Sequence, residues 1–146
     1  MPSELKTRIQ SDLTAARKER NKLRVLVLST ALSEIRNKEI DDRGELDDQG
    51  VIQVISKGIK QRKESSTQMR DAGREELAAK EDAQAEVLSE YLPEGLTEDE
   101  VRAIVREAIA SGADQMGAVM GRIMPQIRGR FDGKEANRIV QEELSG

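Results

Sequence analysis

Tyr91-Leu92-Pro93-Glu94-Gly95-Leu96-Thr97-Glu98-Asp99-Glu100 is the stretch on which the fold turns. Pro93 has no amide hydrogen and pushes Leu92 out of the helical region, so a helix running in from the left must stop here. Thr97 then offers a hydroxyl to the next helix, and Glu100, three residues on, completes a capping box. One helical unit ends and another begins within six residues. The boundaries expected are an N-terminal helical subdomain over 1–92, a linker over 93–96 and a C-terminal subdomain over 97–146.

To the left of this junction nearly everything has helical period. Ser3 caps a first helix whose Leu5, Ile9, Leu13 and Ala16 recur at steps of four and three. A second helix runs from near Asn21 to about Glu39. Its Leu23, Val25, Leu26, Val27, Leu28, Ala31, Leu32 and Ile35 are apolar almost all round, which predicts a central helix buried on several sides. Residues 41–48 carry five acids and one Arg around Gly44 and read as a solvated turn, with Asp47 or Asp48 capping a third helix. In that helix Val51, Ile55, Ile59, Arg62 and Met69 share a face. Gly73 breaks it before a fourth helix, Arg74 to about Leu92, with Leu77, Gln84, Leu88 and Leu92 facing inward.

To the right, Val101, Ile104, Val105, Ala108 and Ile109 form an apolar face that Gly112 closes. Asp114 is placed to cap a helix carrying Met116, Val119, Met120 and Ile123. Met116, Met120 and Met124 recur every four residues, which is core spacing. Gly117 and Gly121 suggest a close helix approach, with Gly121 also easing the ring of Pro125. Asp132 caps the last helix, Gly133 to about Leu144, which buries Ala136, Ile139, Val140 and Leu144. The class is therefore all-α and multihelical, with a longer N-terminal unit and a compact three-helix C-terminal unit.

Composition excludes several chemistries. The 146 residues include no His, Cys or Trp and one each of Tyr and Phe. A Ser-His-Asp triad, a thiol nucleophile and a zinc site of the usual ligands are absent from the inventory. So is an aromatic platform for stacking single-stranded bases. With 12 Leu, 11 Ile, 9 Val and one Phe, the core must be aliphatic and thin. No Gly-rich phosphate loop is present, no carboxylate spacing singles out a metal, and no cofactor is expected. Val25–Ser33 is the longest run free of charge, too short to span a bilayer. Residues 1–24 are densely charged without the apolar core of an export signal, which sets the cytoplasm as the expected compartment.

Net charge is −4, so any anionic partner must be met by a local patch. Arg17, Lys18, Arg20, Lys22 and Arg24 surround the first interhelical turn. Lys57, Lys60, Arg62 and Lys63 lie in seven residues without an acid, and Lys60 and Lys63 share a helix face. Solvated surface accounts for both clusters. From Gln115 to Arg138 five basic residues stand against two acids, and Arg128, Gly129, Arg130 and Lys134 bracket a turn before the last helix. Amides at Gly133–Glu135 would favour an anion there, unless Asp132 and Glu135 occupy that helix end themselves.

Ile59-Lys60-Gln61-Arg62-Lys63-Glu64-Ser65, Ala72-Gly73-Arg74-Glu75-Glu76-Leu77 and Tyr91-Leu92-Pro93 with Leu96-Thr97 and Glu100 together resemble the YqeY proteins. Met116-Gly117-Ala118-Val119-Met120-Gly121-Arg122-Ile123-Met124-Pro125, Gly129-Arg130-Phe131-Asp132-Gly133 and Asn137-Arg138-Ile139-Val140 continue the resemblance over essentially the whole chain. Phe131 departs from it, standing where a small residue is expected. The resemblance implies an all-helical fold in two subdomains, shared with the C-terminal helical and tail region of GatB. GatB is the component of the glutamine-dependent aminoacyl-tRNA amidotransferase that handles misacylated tRNA. The resemblance also implies the family's usual cataloguing as a carbon–nitrogen ligase with glutamine as amide donor. No nucleophile, ammonia path or ATP site for independent catalysis is visible, so no catalytic residue is assigned. Carried over, the tail resemblance points to Arg128, Gly129, Arg130, Lys134, Asn137 and Arg138 as an RNA-facing surface; Lys60 and Lys63, on charge and a shared helix face alone, are a second candidate. The partner expected is tRNA or a protein of the translation apparatus. An interaction adaptor without RNA contact is the alternative.

Overall fold

The computed structural model describes residues 3–146, which form seven α-helices and, among the described residues, no strand. They are α1 (Glu4–Lys18), α2 (Lys22–Asp42), α3 (Asp48–Asp71), α4 (Glu75–Ser89), α5 (Glu98–Ala110), α6 (Met116–Ile127) and α7 (Gly133–Ser145). The chain divides into two compact units, Met1–Leu92 and Pro93–Gly146.

Helix starts are set by local chemistry. Side chains of Ser3, Asn21, Asp47, Thr97 and Asp132 each accept a hydrogen bond from an amide in the first turn that would otherwise lack a partner. At Thr97 the box is complete, with Glu100 reaching back to the Thr97 amide. α6 differs from expectation. Its N-cap is Gln115, without a side-chain bond, whereas Asp114 stays exposed outside the helix. Ala113 is buried beside it, and seating that methyl sets where the chain re-enters the helix.

In the first unit the core gathers Ile9 and Leu13 of α1, Val27, Leu28, Ala31 and Ile35 of α2, Val51 and Ile55 of α3, and Val87 and Leu88 of α4. Ile9, Leu28, Ile35 and Ile55 are fully buried, each contributing about 1.5–3 kcal/mol of transfer free energy. Tyr91 closes this core. Its hydroxyl donates to Asp12 at 2.6 Å and accepts from Arg24 at 3.2 Å, and the Arg8 guanidinium lies 4.7 Å from its ring centre. Ser3, itself buried, donates to Asp48, and Lys6 pairs with Glu39 at 2.8 Å, tying α1 to the starts and ends of its neighbours.

α2 is not covered all round. α1, α3 and α4 pack against it, yet Leu26 is 53% and Leu23 38% exposed, and Ile40 at its far end is 64% exposed. Only the stripe through Val27, Leu28, Ala31 and Ile35 is buried. α3 and α4 form a long hairpin closed by Arg70, which reaches Glu75 at 2.9 Å and Asp82 at 3.0 Å. Gly73 makes the turn possible at φ 77°, in the left-handed region. Leu77 is exposed rather than inward; the small Ala78 and Ala85 take the contact, which brings the two helices close. Gly58 marks the tightest point, since a Cβ there would lie 3.2 Å from the Leu88 side chain.

The second unit packs Val101, Val105, Val119, Ile123, Ile127, Ala136, Ile139 and Val140 into one cluster. The three methionines of α6 are partly buried against it, as their spacing predicts. Leu144 is also only partly buried. Gly117 and Gly121 are exposed, and a Cβ at either would meet nothing within 4 Å. A close helix approach therefore does not explain them.

Candidate nucleic-acid interface

The turn between α6 and α7 is built from the end of α6 outward. The Ile127 carbonyl accepts from the amides of Arg130 at 2.8 Å and Phe131 at 3.1 Å, which curls the chain back on itself. Gly129 sits at φ 74°, so its backbone requirement alone accounts for a glycine. Phe131 turns its ring onto the core of the unit and is only partly exposed. Asp132 then caps α7 by accepting from the Lys134 amide at 3.3 Å. That carboxylate takes one amide of the helix end and sets a negative charge there, which disfavours a phosphate at this position.

The predicted cations separate into engaged and unengaged. Arg130 spends its guanidinium on backbone carbonyls, those of Glu94 at 2.9 Å and Gln126 at 3.3 Å, while its own carbonyl accepts from Leu96 at 2.8 Å. It is a latch holding residues 94–96 against the turn. Arg138 reaches Glu98 at 2.5 Å, Glu142 at 2.6 Å and Glu135 at 2.9 Å. The hydrogen bonds it donates to those three carboxylates, Glu135 first, push its already high pKa further up. With Arg102 and Arg106, it forms an ion-pair lattice that joins α5 to α7. Arg128, Lys134 and Asn137 make no side-chain hydrogen bond or ion pair among the described residues; Lys134 and Asn137 are exposed and Arg128 is half-buried.

On α3, Lys60 and Lys63 are exposed and likewise lack a carboxylate partner among the described residues. Arg62, between them, points inward to Gln84 at 3.2 Å and the Gly58 carbonyl at 3.1 Å. The two predicted sets thus lie one on each unit, on α3 and on the α6–α7 turn.

Reading the sequence for charge missed an open groove of about 580 Å³ between α2 and α3. Asn37, Gln53 and Gln61 line it together with Lys57, Glu34 and Asp41. Three amide side chains at helical spacing on two adjacent helices were the available signal. No helix among the described residues is long and apolar enough to cross a membrane.

Known proteins narrow the comparison. The profile of a family described as "Yqey-like protein" matches residues 6–144. "Altered inheritance of mitochondria protein 41, mitochondrial" of Pyrenophora tritici-repentis is 33% identical over 141 residues, covering 92% of this chain and 78% of that protein. Its namesake in Lachancea thermotolerans is 34% identical over 85 residues, 58% of this chain and 46% of its own length. An uncharacterized protein of Schizosaccharomyces pombe is 36% identical over 86 residues, 59% of this chain and 70% of that one. The expectation of a cytoplasmic compartment is corrected by these relatives, two of which are named as mitochondrial proteins. Its basis was the missing apolar core of an export signal, and mitochondrial leaders are amphipathic and Arg-rich instead, so that criterion never tested for them.

Proposed function

The chain belongs to the YqeY-like family, and on that premise we propose that it binds tRNA, or serves tRNA-dependent amidotransfer, as a helical unit that is not catalytic alone. The observation that carries this reading is the contrast among its cations. Arg102, Arg106 and Arg138 are each neutralised by glutamates, while Arg128 and Lys134, at a turn beside Asn137, are left without a carboxylate partner among the described residues. Unpaired cations on a chain of net charge −4 suit a phosphate backbone, which is gripped by Arg and Lys without sequence readout. Lys60 and Lys63 supply a second such pair.

Filter binding of tRNA across a salt series tests it. Each phosphate contact contributes a slope of about 0.9 in log K against log salt. Replacing Arg128 and Lys134 by Glu is expected to weaken binding and flatten that slope by about 2. No binding at low salt, or binding indifferent to the double variant, refutes the proposal. The chain with Glu-tRNA, ATP and glutamine is expected to form no amide product on its own.

A second reading, an interaction adaptor without RNA contact, is favoured by one observation: the exposed Leu23, Leu26 and Ile40 on α2. Partner recovery after nuclease treatment distinguishes it from the first.

A further inference from the structure

The outer face of α2 carries a pattern that neither packing nor RNA contact uses. Opposite the buried stripe, Leu26 and Ile40 stand exposed, and Ser29, Thr30, Ser33 and Asn37 run between them at helical spacing. Leu26, Ser29, Thr30, Ser33, Asn37 and Ile40 are themselves uncharged, the exposed Arg36 borders the stripe beside Ile40, and its middle is made of small residues that let another helix approach closely. Its two ends have opposite charge. Residues 17–24 hold five basic residues and one acid, and Arg17, Lys18, Arg20 and Lys22 are exposed without a carboxylate partner among the described residues. Residues 41–48 hold five acids and one Arg. Asp42 is bonded to Lys38 and Asp47 caps α3, while Asp41 and Glu45 are exposed with no side-chain bond among the described residues.

We propose that this face is a self-association surface, on which a second copy of the chain docks its own α2 antiparallel about a two-fold axis near Ser33. Ser33 is midway between Leu26 and Ile40, which are about 21 Å apart along the helix. A two-fold axis there sets Leu26 of each copy against Ile40 of the other, and Ser29 against Asn37. The basic turn at Arg17–Lys22 then faces the acidic turn at Asp41–Asp48 at both ends. Each end of the helix finds its complement at the other end of the same stripe, which is the self-complementarity an isologous interface requires. A parallel pairing would set base against base and acid against acid, so charge selects the antiparallel arrangement. One helix face is a small interface, near the lower limit of about 1,000 Å² for a specific contact, so the dimer is weak and salt-sensitive.

Sedimentation velocity of the full chain, up to about 500 μM at low salt, reads the association directly. The expected result is a dimer whose population grows with concentration and shrinks with added salt. Leu26→Asp, on an exposed position, is expected to weaken it at least about tenfold with helical content unchanged by circular dichroism. Arg20→Glu with Lys22→Glu weakens it too, and so does Asp41→Lys with Glu45→Lys. Mixing these two charge-reversed chains restores a dimer, because each supplies what the other lost. A chain monomeric throughout the range overturns the proposal, as does a dimer indifferent to Leu26→Asp. Failure of the mixture to recover association overturns the antiparallel arrangement.

Discussion

Tyr91→Phe isolates one polar contact inside the N-terminal core. The substitution keeps the ring, its burial and the Arg8 guanidinium above it. It deletes the hydroxyl that donates to Asp12 at 2.6 Å and accepts from Arg24 at 3.2 Å. A hydrogen bond to a charged acceptor is worth about 1.5–3 kcal/mol in a protected setting. Asp12 is about a third exposed and can turn to water, and Arg24 keeps Glu90 at 2.7 Å, so a loss of about 1–2 kcal/mol is expected. Urea denaturation followed by circular dichroism measures it. A double-mutant cycle with Asp12→Ala should show a coupling of about 1 kcal/mol between the two positions. The same contact predicts behaviour in alkali. Burial, then the hydrogen bond to Asp12, hold the phenol above its ordinary value of 10.0. The direction of that shift means the neutral phenol is favoured by folding. Stability in the parent chain should therefore fall as pH rises from the ordinary value through the folded one, more steeply than in Tyr91→Phe. Since Tyr91 is the sole tyrosine, phenolate absorbance reports this site alone. A variant as stable as the parent, with zero coupling, would refute the reasoning.

Two further outcomes follow from the packing. Gly121→Ala should stabilise the C-terminal unit by roughly 0.5–1 kcal/mol in thermal denaturation, because the helix interior gains a better helix former and the added Cβ meets nothing. On the acid side, Lys6 and the Leu46 amide hold Glu39 below its ordinary range, and Ser3 with the Leu5 amide does the same for Asp48. Depressed carboxylates stabilise above their ordinary values and cease to as pH falls below about 4. Asp48→Asn should make the urea midpoint of the N-terminal unit less dependent on pH in that range.

The candidate site was half legible. Lys60, Lys63, Arg128 and Lys134 could be named from charge and spacing, and folding brings none of them within ion-pair distance of a carboxylate among the described residues. Arg130 and Arg138 could not be assigned the same way. For Arg130 the Glu94 carbonyl, 36 residues away, arrives only with folding; Arg138 has Glu135 and Glu142 within a helical turn, and folding adds Glu98 from 40 residues away. Whether a guanidinium is a latch or a free hand is a question of what the fold brings to it. The α2–α3 groove escaped notice for the same reason: Asn37 and Gln53 look like ordinary surface amides until two helices set them side by side.

By itself the sequence determined the helical class, the starts of most helices and the family. Cap side chains bond amides two or three residues away, prolines act on their neighbours, and apolar period reports one face at a time, all within a few turns of chain. Only the tertiary structure decided which of several apolar faces would be covered. It left Leu26 and Ile40 of α2 outside, placed Ala78 rather than Leu77 in the α3–α4 contact, and gave Gly117 and Gly121 open space instead of a neighbour. Those outcomes depend on how closely helices approach, which is a property of pairs of surfaces and is written in neither helix of the pair alone.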